Sequence, residues 1–297
     1  MKKFGFVALI GAPNAGKSTL LNALLGTKIS IVCHKSQTTR CRIAGIHTKD
    51  ESQVVLMDTP GIFVNPKSRL EKAMVETAWQ AALESNLILM IVDASRDSFK
   101  EDLAVIMERI KSSDKKCLLV LNKIDLVPDK TKLLVRGKEL YDTGLFQKVF
   151  MISAKKKDGL EELERFLLDN MPESPWFYPE DQLSDLSERV IAAEFTREAL
   201  MHHLHEEIPY GITVETEAWE KFRNKSIKIV QTILVEREGY KGIILGKQGQ
   251  KIKAIGESAR HSISKFLGTP VHLMLHVRVD EKWKDRPYIY QELGLNF

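Results

Sequence analysis

The sequence predicts an α/β chain: a doubly wound domain around a mostly parallel sheet, followed by a smaller α+β domain. Three observations carry this. Short apolar runs alternate with helical patterns from residue 6 to about 170, as strand–helix–strand units do. Met171-Pro-Glu-Ser-Pro-Trp-Phe-Tyr-Pro-Glu180 then packs three prolines into ten residues and cannot continue a helix. Beyond it the order becomes helix, strand, strand, helix, glycine turn, helix, strand. The expected division is a domain over 1–170, a linker over 171–182 and a domain over 183–297.

Composition limits the class. A length of 297 residues suits about two domains, and 43% hydrophobic with 28% charged residues is ordinary for a globular protein. Met1-Lys-Lys runs straight into the first strand without a signal-peptide pattern. The longest apolar stretch, Leu87-Ile-Leu-Met-Ile-Val92, is far too short to span a membrane. Cys33, Cys41 and Cys117 are too few and scattered for a disulfide framework or a zinc site, so a reducing cytoplasm is expected. Net charge is only +4, but its distribution is uneven. Between Lys241 and Lys265, six cations (Lys241, Lys247, Lys251, Lys253, Arg260 and Lys265) face the single acid Glu257, which marks a candidate polyanion site.

The first apolar run, Phe6–Ile10, leads into Gly11, Ala12, Pro13, Asn14, Ala15, Gly16, Lys17 and Ser18, and then into a helical stretch from Thr19. This is G-x-x-x-x-G-K-[ST] in its required strand–loop–helix context. Successive backbone N–H groups and the helix dipole capture phosphate. Lys17 is expected on the β- and γ-phosphates, and the Ser18 hydroxyl on Mg²⁺. Lys35-Ser-Gln-Thr-Thr-Arg40 follows as a polar loop suited to closing on a γ-phosphate. Thr39, favoured over Thr38, completes the metal shell. Gln53–Met57 is a strand ending in Asp58, Thr59, Pro60 and Gly61. Asp58 is placed to hold a metal-bound water, and the Gly61 N–H to meet the γ-phosphate. Ile62 stands next, so the glutamine that orients attacking water in Ras-like enzymes is absent.

Leu87–Asp93 and Lys116–Leu121 are two further buried strands with a helical pattern between them. The second ends in Asn122-Lys123-Ile124-Asp125. A carboxylate at Asp125 accepts from N1–H and the exocyclic amine of guanine, a donor pair adenine lacks. Asn122 is expected to tie this loop to the phosphate loop, and the Lys123 stem to lie along the base. Val149–Ile152 is the last strand, and Ser153, Ala154 and Lys155 follow, with the Ala154 N–H aimed at guanine O6. Gly159–Leu168 closes the domain as an amphipathic helix. A nucleotide-binding reading with GTP and GDP as ligands follows.

In the second half, His202, His203 and His205 lie at the end of a helix without a metal-spaced partner. Lys241, Gly242, Gly246, Lys247, Gln248, Gly249, Lys251 and Lys253 cluster about a Gly-x-x-Gly turn. This order and loop resemble a type II KH domain, whose turn clamps the backbone of about four single-stranded nucleotides.

Taken together, the chain resembles the bacterial Era GTPases over its full length. Gly11–Ser18, Gln37-Thr-Thr-Arg40, Asp58–Gly61, Asn122–Asp125 and Ser153–Lys155 carry the first half of the likeness. Ser187-Glu-Arg, Ala192-Ala-Glu-Phe-Thr-Arg-Glu198, Pro209-Tyr210 and Lys241-Gly-Ile-Ile-Leu-Gly-Lys-Gln-Gly249 carry the more specific second half. The resemblance implies a P-loop GTPase domain before the KH domain, with Mg²⁺-dependent GTP hydrolysis in which Lys17, Thr39, Gly61 and Asn14 take part. In related GTPases lacking the glutamine, an asparagine at the position of Asn14 helps hold K⁺. It also implies binding near the 3′ end of small-subunit (16S) rRNA, a role in assembly of the small ribosomal subunit, and peripheral association with the inner membrane. No residues speak for that last property beyond basic surface. A monomer is expected. The alternative is another ribosome-assembly GTPase with a different RNA target.

Overall fold

A computed structural model of the chain describes all residues except 36–37, 64, 67, 97–99, 205–207 and 296–297. Gln37 and His205 therefore lie outside the described residues. The chain forms two compact units. The first holds Met1–Ser30, Thr39–Asp185 and Leu293–Asn296; the second holds Ile31–Thr38 and Leu186–Glu292.

The first unit is a six-stranded sheet. Its elements are β1 (Lys3–Ile10), α1 (Lys17–Leu25), β2 (Ile43–Lys49), β3 (Ser52–Asp58), α2 (Arg69–Glu84), β4 (Leu87–Asp93), α3 (Lys100–Lys111), β5 (Cys117–Asn122), α4 (Lys130–Tyr141), β6 (Val149–Met151) and α5 (Leu160–Asp169). The strand order is β2-β3-β1-β4-β5-β6. All neighbours run parallel except β2, which returns antiparallel on β3. Alternation along each strand sends side chains to opposite faces. Ala8, Ile10, Met90 and Leu119 pack with Trp79 of α2 and Ile106 of α3, whereas Gly45 of β2 lies close to Leu21 and Leu25 of α1. Burial on both faces explains why β4 and β5 read as continuous apolar runs. Helix α2 follows a capping box, Ser68 with Glu71, a start signal visible in Ser68-Arg-Leu-Glu71 although the strand-based reading passed over it.

The proline-rich stretch, expected as a linker, belongs with this unit. Gln53 accepts from the N–H groups of Phe177 and Tyr178 at 3.2 and 3.0 Å. Farther on, Ile46 N–H donates to Leu183 at 2.9 Å and the Ser184 hydroxyl to Ala44 at 2.8 Å. The segment thus covers the edge of β2, which would otherwise present unpaired backbone.

The second unit contains α6 (Glu188–His203), β7 (Ile212–Lys221), β8 (Ile227–Val235), α7 (Glu238–Leu245), α8 (Gln250–Leu267), β9 (Val271–Val279) and a short α9 (Pro287–Glu292). Its sheet order is β7-β8-β9, antiparallel then parallel. Ile229 and Ile233 of β8 bury against helix residues that include Ile255 and Ile263 of α8. Segment Ile31–Thr38 packs with this unit. Val32 N–H donates to Glu198, Lys35 Nζ to the carbonyls of Met201 and Leu204, and Arg197 to the carbonyl of Thr38. Arg197 is itself buried against Glu194 at 2.5 Å.

Candidate functional site

The carboxyl ends of β1, β3, β4, β5 and β6 lie side by side in the sheet, and the turns that leave them carry the residues singled out in the first half apart from the loop that holds Thr39. The loop after β1 turns on left-handed residues, Asn14 at φ 63° and Gly16 at φ 101°. Gly16 has a second reason to be glycine: a Cβ there would lie 2.2 Å from Asn122 Nδ2. Helix α1 opens without a side-chain cap, so its first N–H groups are available to an anion. Lys17 is 5% exposed and donates to the carbonyls of Gly11 and Ala12 at 3.1 and 3.0 Å. Burial pulls its pKa down to about 8, with the Asp58 charge opposing. A buried ammonium hydrogen-bonded to carbonyls is primed for a stronger anion.

Asp58 closes β3 and is fully buried. Burial raises its pKa, tempered by the Ser18 hydroxyl, the Lys17 charge and the Ser30 hydroxyl. Ser18 Oγ donates to Asp58 Oδ2 at 2.6 Å and lies 2.8 Å from Thr39 Oγ1. Thr38 is engaged elsewhere, its hydroxyl donating to Lys35 O at 2.5 Å. Two hydroxyls and a carboxylate thus converge, and Asp58 Oδ1 is buried without a hydrogen-bond partner among the described residues. Hard oxygen donors with one unsatisfied carboxylate oxygen fit Mg²⁺. Thr59 donates to Leu9 O at 2.7 Å and Ile62 N–H to Gly11 O at 3.1 Å, seating Thr59–Ile62 against the phosphate loop. Ile62 itself is buried in the core.

Asn122 ends β5 and joins three loops. Its Nδ2 donates to Ala15 O at 2.9 Å, and its Oδ1 accepts from Ala154 N–H at 3.0 Å. The Ala154 N–H expected on guanine O6 is thus directed at Asn122 in this structure. Ser153 Oγ donates to Asp125 Oδ1 at 2.6 Å, which orients that carboxylate. Lys123 reaches Asp93 Oδ2 at 2.6 Å. Burial alone would raise the Asp93 pKa, but Lys123 and Ser95 outweigh it and hold the carboxyl below its usual range. Lys155 stands exposed.

The second unit presents a different surface. Gly246, Gln248 and Gly249 all have positive φ, at 69°, 50° and 75°. Gly249 begins α8 without a side-chain cap, again leaving helix N–H groups open. Lys247 is exposed, and Lys241 makes a surface pair with Glu238 at 3.5 Å. Alongside runs an open cleft of about 720 Å³ between α8 and the outer edge of β9. Lys253, Gly256 and Arg260 line one wall and His272, Met274 and Leu275 the other.

Comparison with known proteins decides the family. Residues 6–123 match a family described as a 50S ribosome-binding GTPase, and residues 207–284 match the KH domain. The GTPase Era of Maricaulis maris is 48% identical over 309 residues, covering 100% of this chain and 98% of that protein. The GTPase Era of Brucella suis is 50% identical over 293 residues, covering 99% and 93%. The chain belongs to the Era GTPase family. Its fold matches a crystal structure of an Aquifex aeolicus Era variant bound to GDP and aluminium fluoride, with TM-score 0.92 and 38% identity over 98% of this chain and 99% of that one. It matches equally an Era in complex with MgGDPNP and nucleotides 1506–1542 of 16S ribosomal RNA, with TM-score 0.93 and 38% identity over 99% of each chain.

Motif reading passed over Asn22, Ser30 and Asp93 in the first unit, and the Glu194–Arg197 pair at Thr38 in the second. Asp93 carried a signal, an acid closing an otherwise wholly apolar strand. Ser30 meets Asp58 and Arg197 meets Thr38 from distant sequence positions, and Asn22 reaches Ser30 across a turn that no short pattern records.

Proposed function

We propose that this Era-family GTPase binds GTP at the loops after β1, β3 and β5, hydrolyses it, and binds the 3′ end of 16S rRNA through its KH unit during small-subunit assembly. What carries the reading is one constellation: Lys17, Ser18, Thr39 and Asp58 gathered at one end of a base site that Asn122 ties to the phosphate loop. The rRNA part is supported by the related Era in complex with that RNA and by the Gly246–Gly249 turn beside a basic cleft.

Phosphates would lie on Gly11–Thr19, with Lys17 exchanging two carbonyls for β- and γ-oxygens. Asp125, steadied by Ser153, would accept from guanine. Ser18, Thr39 and Asp58 would hold Mg²⁺, which when bound supplies charge neutralisation between the β- and γ-phosphates. Ile62 cannot orient water, so intrinsic turnover is slow. Asn14 would take part in holding K⁺, supplying charge that an arginine finger gives elsewhere. Equal turnover in sodium and potassium buffers would remove that role.

Thr39 belongs to the first unit and Thr38 to the second. Ordering Thr39 on nucleotide would pull directly on a segment that hydrogen-bonds Arg197, Glu198, Met201 and Leu204, and this is the proposed switch. No helix among the described residues is long and apolar enough to cross a membrane. A cytoplasmic monomer with peripheral membrane contact through basic surface completes the proposal. Sequencing RNA crosslinked to the protein, with and without a non-hydrolysable GTP analogue, tests it. Enrichment of the 16S 3′ end only with the analogue is expected; enrichment of another RNA would favour a different assembly target.

A further inference from the structure

Two side chains outside every nucleotide motif meet behind the metal-binding residues. Asn22 is a polar residue in the middle of the apolar helix α1. Its Oδ1 accepts from the N–H groups of Ile29 and Ser30 at 2.9 and 3.0 Å, and its Nδ2 donates to Ser30 O at 2.8 Å. One side chain therefore fixes both backbone polar groups of Ser30. Ser30 is fully buried, and its hydroxyl donates to Asp58 Oδ2 at 2.7 Å.

Asp58 Oδ2 thus receives two side-chain donors, Ser18 and Ser30, while among the described residues no side chain donates to Oδ1. Two donors on one oxygen fix the rotation of a carboxylate and leave the other oxygen to face a cation. The two serines differ in duty. Ser18 sits on the phosphate loop beside Thr39 and has its own lone pair to give the ion. Ser30 has no second task, and its backbone is clamped whatever the nucleotide does.

We infer that Ser30, held by Asn22, is a positioning residue that sets Asp58 for Mg²⁺. Hydrogen-bond partners behind a metal ligand commonly change metal affinity about 10–100-fold when removed. The inference rests on the reading of Ser18, Thr39 and Asp58 as the Mg²⁺ site.

The test follows release of fluorescent GDP from the full chain as Mg²⁺ is titrated and then stripped with EDTA. In the unaltered protein Mg²⁺ slows release; if it does not, the metal-site reading itself falls. Ser30→Ala should raise the Mg²⁺ concentration for half-maximal slowing about 10-fold, with release in EDTA unchanged. Asn22→Ala should shift it in the same direction. The double variant should be no worse than the larger single, because both act through one hydroxyl. Ser30→Cys keeps the shape but donates weakly and should behave like Ser30→Ala. An unchanged Mg²⁺ midpoint, an equal acceleration of release in EDTA, or a Ser30→Cys protein indistinguishable from the unaltered one would each overturn the inference. Should Ser30→Ala fail to fold, the midpoint of Asn22→Ala decides, an unshifted value overturning it.

Discussion

At the loop after β1 the cation is indoors; at the turn before α8 the cations stand in water. Lys17 is 5% exposed, hydrogen-bonded to two carbonyls and pressed down in pKa, whereas Lys247 is exposed and Lys251 half-buried at the start of α8. Asn122 binds the nucleotide loops to one another, and a cleft open to solvent runs beside the Gly-x-x-Gly turn. The difference follows from the ligand. A nucleotide is small enough to surround, so a few desolvated contacts carry it, each worth far more than in water. A nucleic-acid strand enters and leaves along a surface, so binding divides among many screened contacts. Substitutions should therefore act steeply at the first site and gradually at the second.

The steepest change is expected at Asp125. Asp125→Asn keeps one acceptor oxygen and replaces the other with an NH₂ donor, so xanthine, which has an acceptor where guanine has its amine, becomes the better base. Asp125 is exposed until a base covers it, and a covered polar group left unpaired rejects a ligand by about 10⁴-fold. Competition between GTP and xanthosine triphosphate measures the swap; an unchanged preference for GTP would remove Asp125 from base recognition. Lys17→Ala comes next, with turnover falling about 10²–10³-fold, as for loss of one preorganised donor to developing charge. The same substitution removes a buried cation that the empty site holds at a cost, so thermal unfolding without nucleotide should not occur earlier. A lower melting temperature there would show Lys17 to be structural.

At the turn, Gly246 and Gly249 read alike in sequence and differ in space. A Cβ on Gly246 would lie 2.7 Å from Lys251 Cβ, while one on Gly249 meets nothing within 4 Å. Gly246→Asp therefore mixes a clash with a charge. Gly249→Asp is the cleaner probe, because aspartate tolerates a left-handed backbone. It should abolish binding of a single-stranded oligonucleotide while GTP affinity stays near normal. Retained RNA binding would place the strand elsewhere.

That pair of glycines illustrates what sequence could and could not disclose. The nucleotide loops were legible because local spacing and strand ends define them: Gly11–Ser18, Asp58–Gly61 and Asn122–Asp125 all fall in the turns leaving β1, β3 and β5. Continuous apolar runs betrayed β4 and β5, and three prolines marked the chain's departure from α5. Long-range polar contacts were not legible. Nothing in Thr27-Lys-Ile-Ser30 announces that Ser30 reaches Asp58, nor does Ala192–Glu198 show Arg197 holding the carbonyl of Thr38. The antiparallel edge strand β2 and the segment 183–185 covering it also escaped, since pairing at a sheet edge depends on which chain arrives there.

Communication between the two sites should be a middling effect. If nucleotide at the first unit alters RNA affinity at the second, RNA must alter nucleotide affinity by the same factor. Couplings of this kind are typically about 5–150-fold. Filter binding of an oligonucleotide matching the 16S 3′ end, in GDP and in GTP-analogue states, measures one side; analogue affinity with and without RNA measures the other. Equal RNA affinity in both states would mean that the units are merely tethered, and that the division of the chain between Thr38 and Thr39 transmits nothing.

The smallest effects belong to the lysines of the turn, and they discriminate best between the two modes of binding. Each cation on a phosphate releases a condensed counterion, so losing one should reduce the slope of log affinity against log salt by about 0.7 on a single strand. Lys247→Ala and Lys251→Ala should each produce that change and weaken all sequences alike, because phosphates are the same everywhere. Arg260, which lines the cleft rather than the turn, should behave otherwise. If bases enter the cleft, Arg260→Ala will alter the ranking of sequences as well as the salt slope. Salt titrations with a matched and a scrambled oligonucleotide separate these outcomes. A lysine variant with an unchanged slope makes no phosphate contact. A lysine variant that changes sequence preference would move base reading from the cleft to the turn.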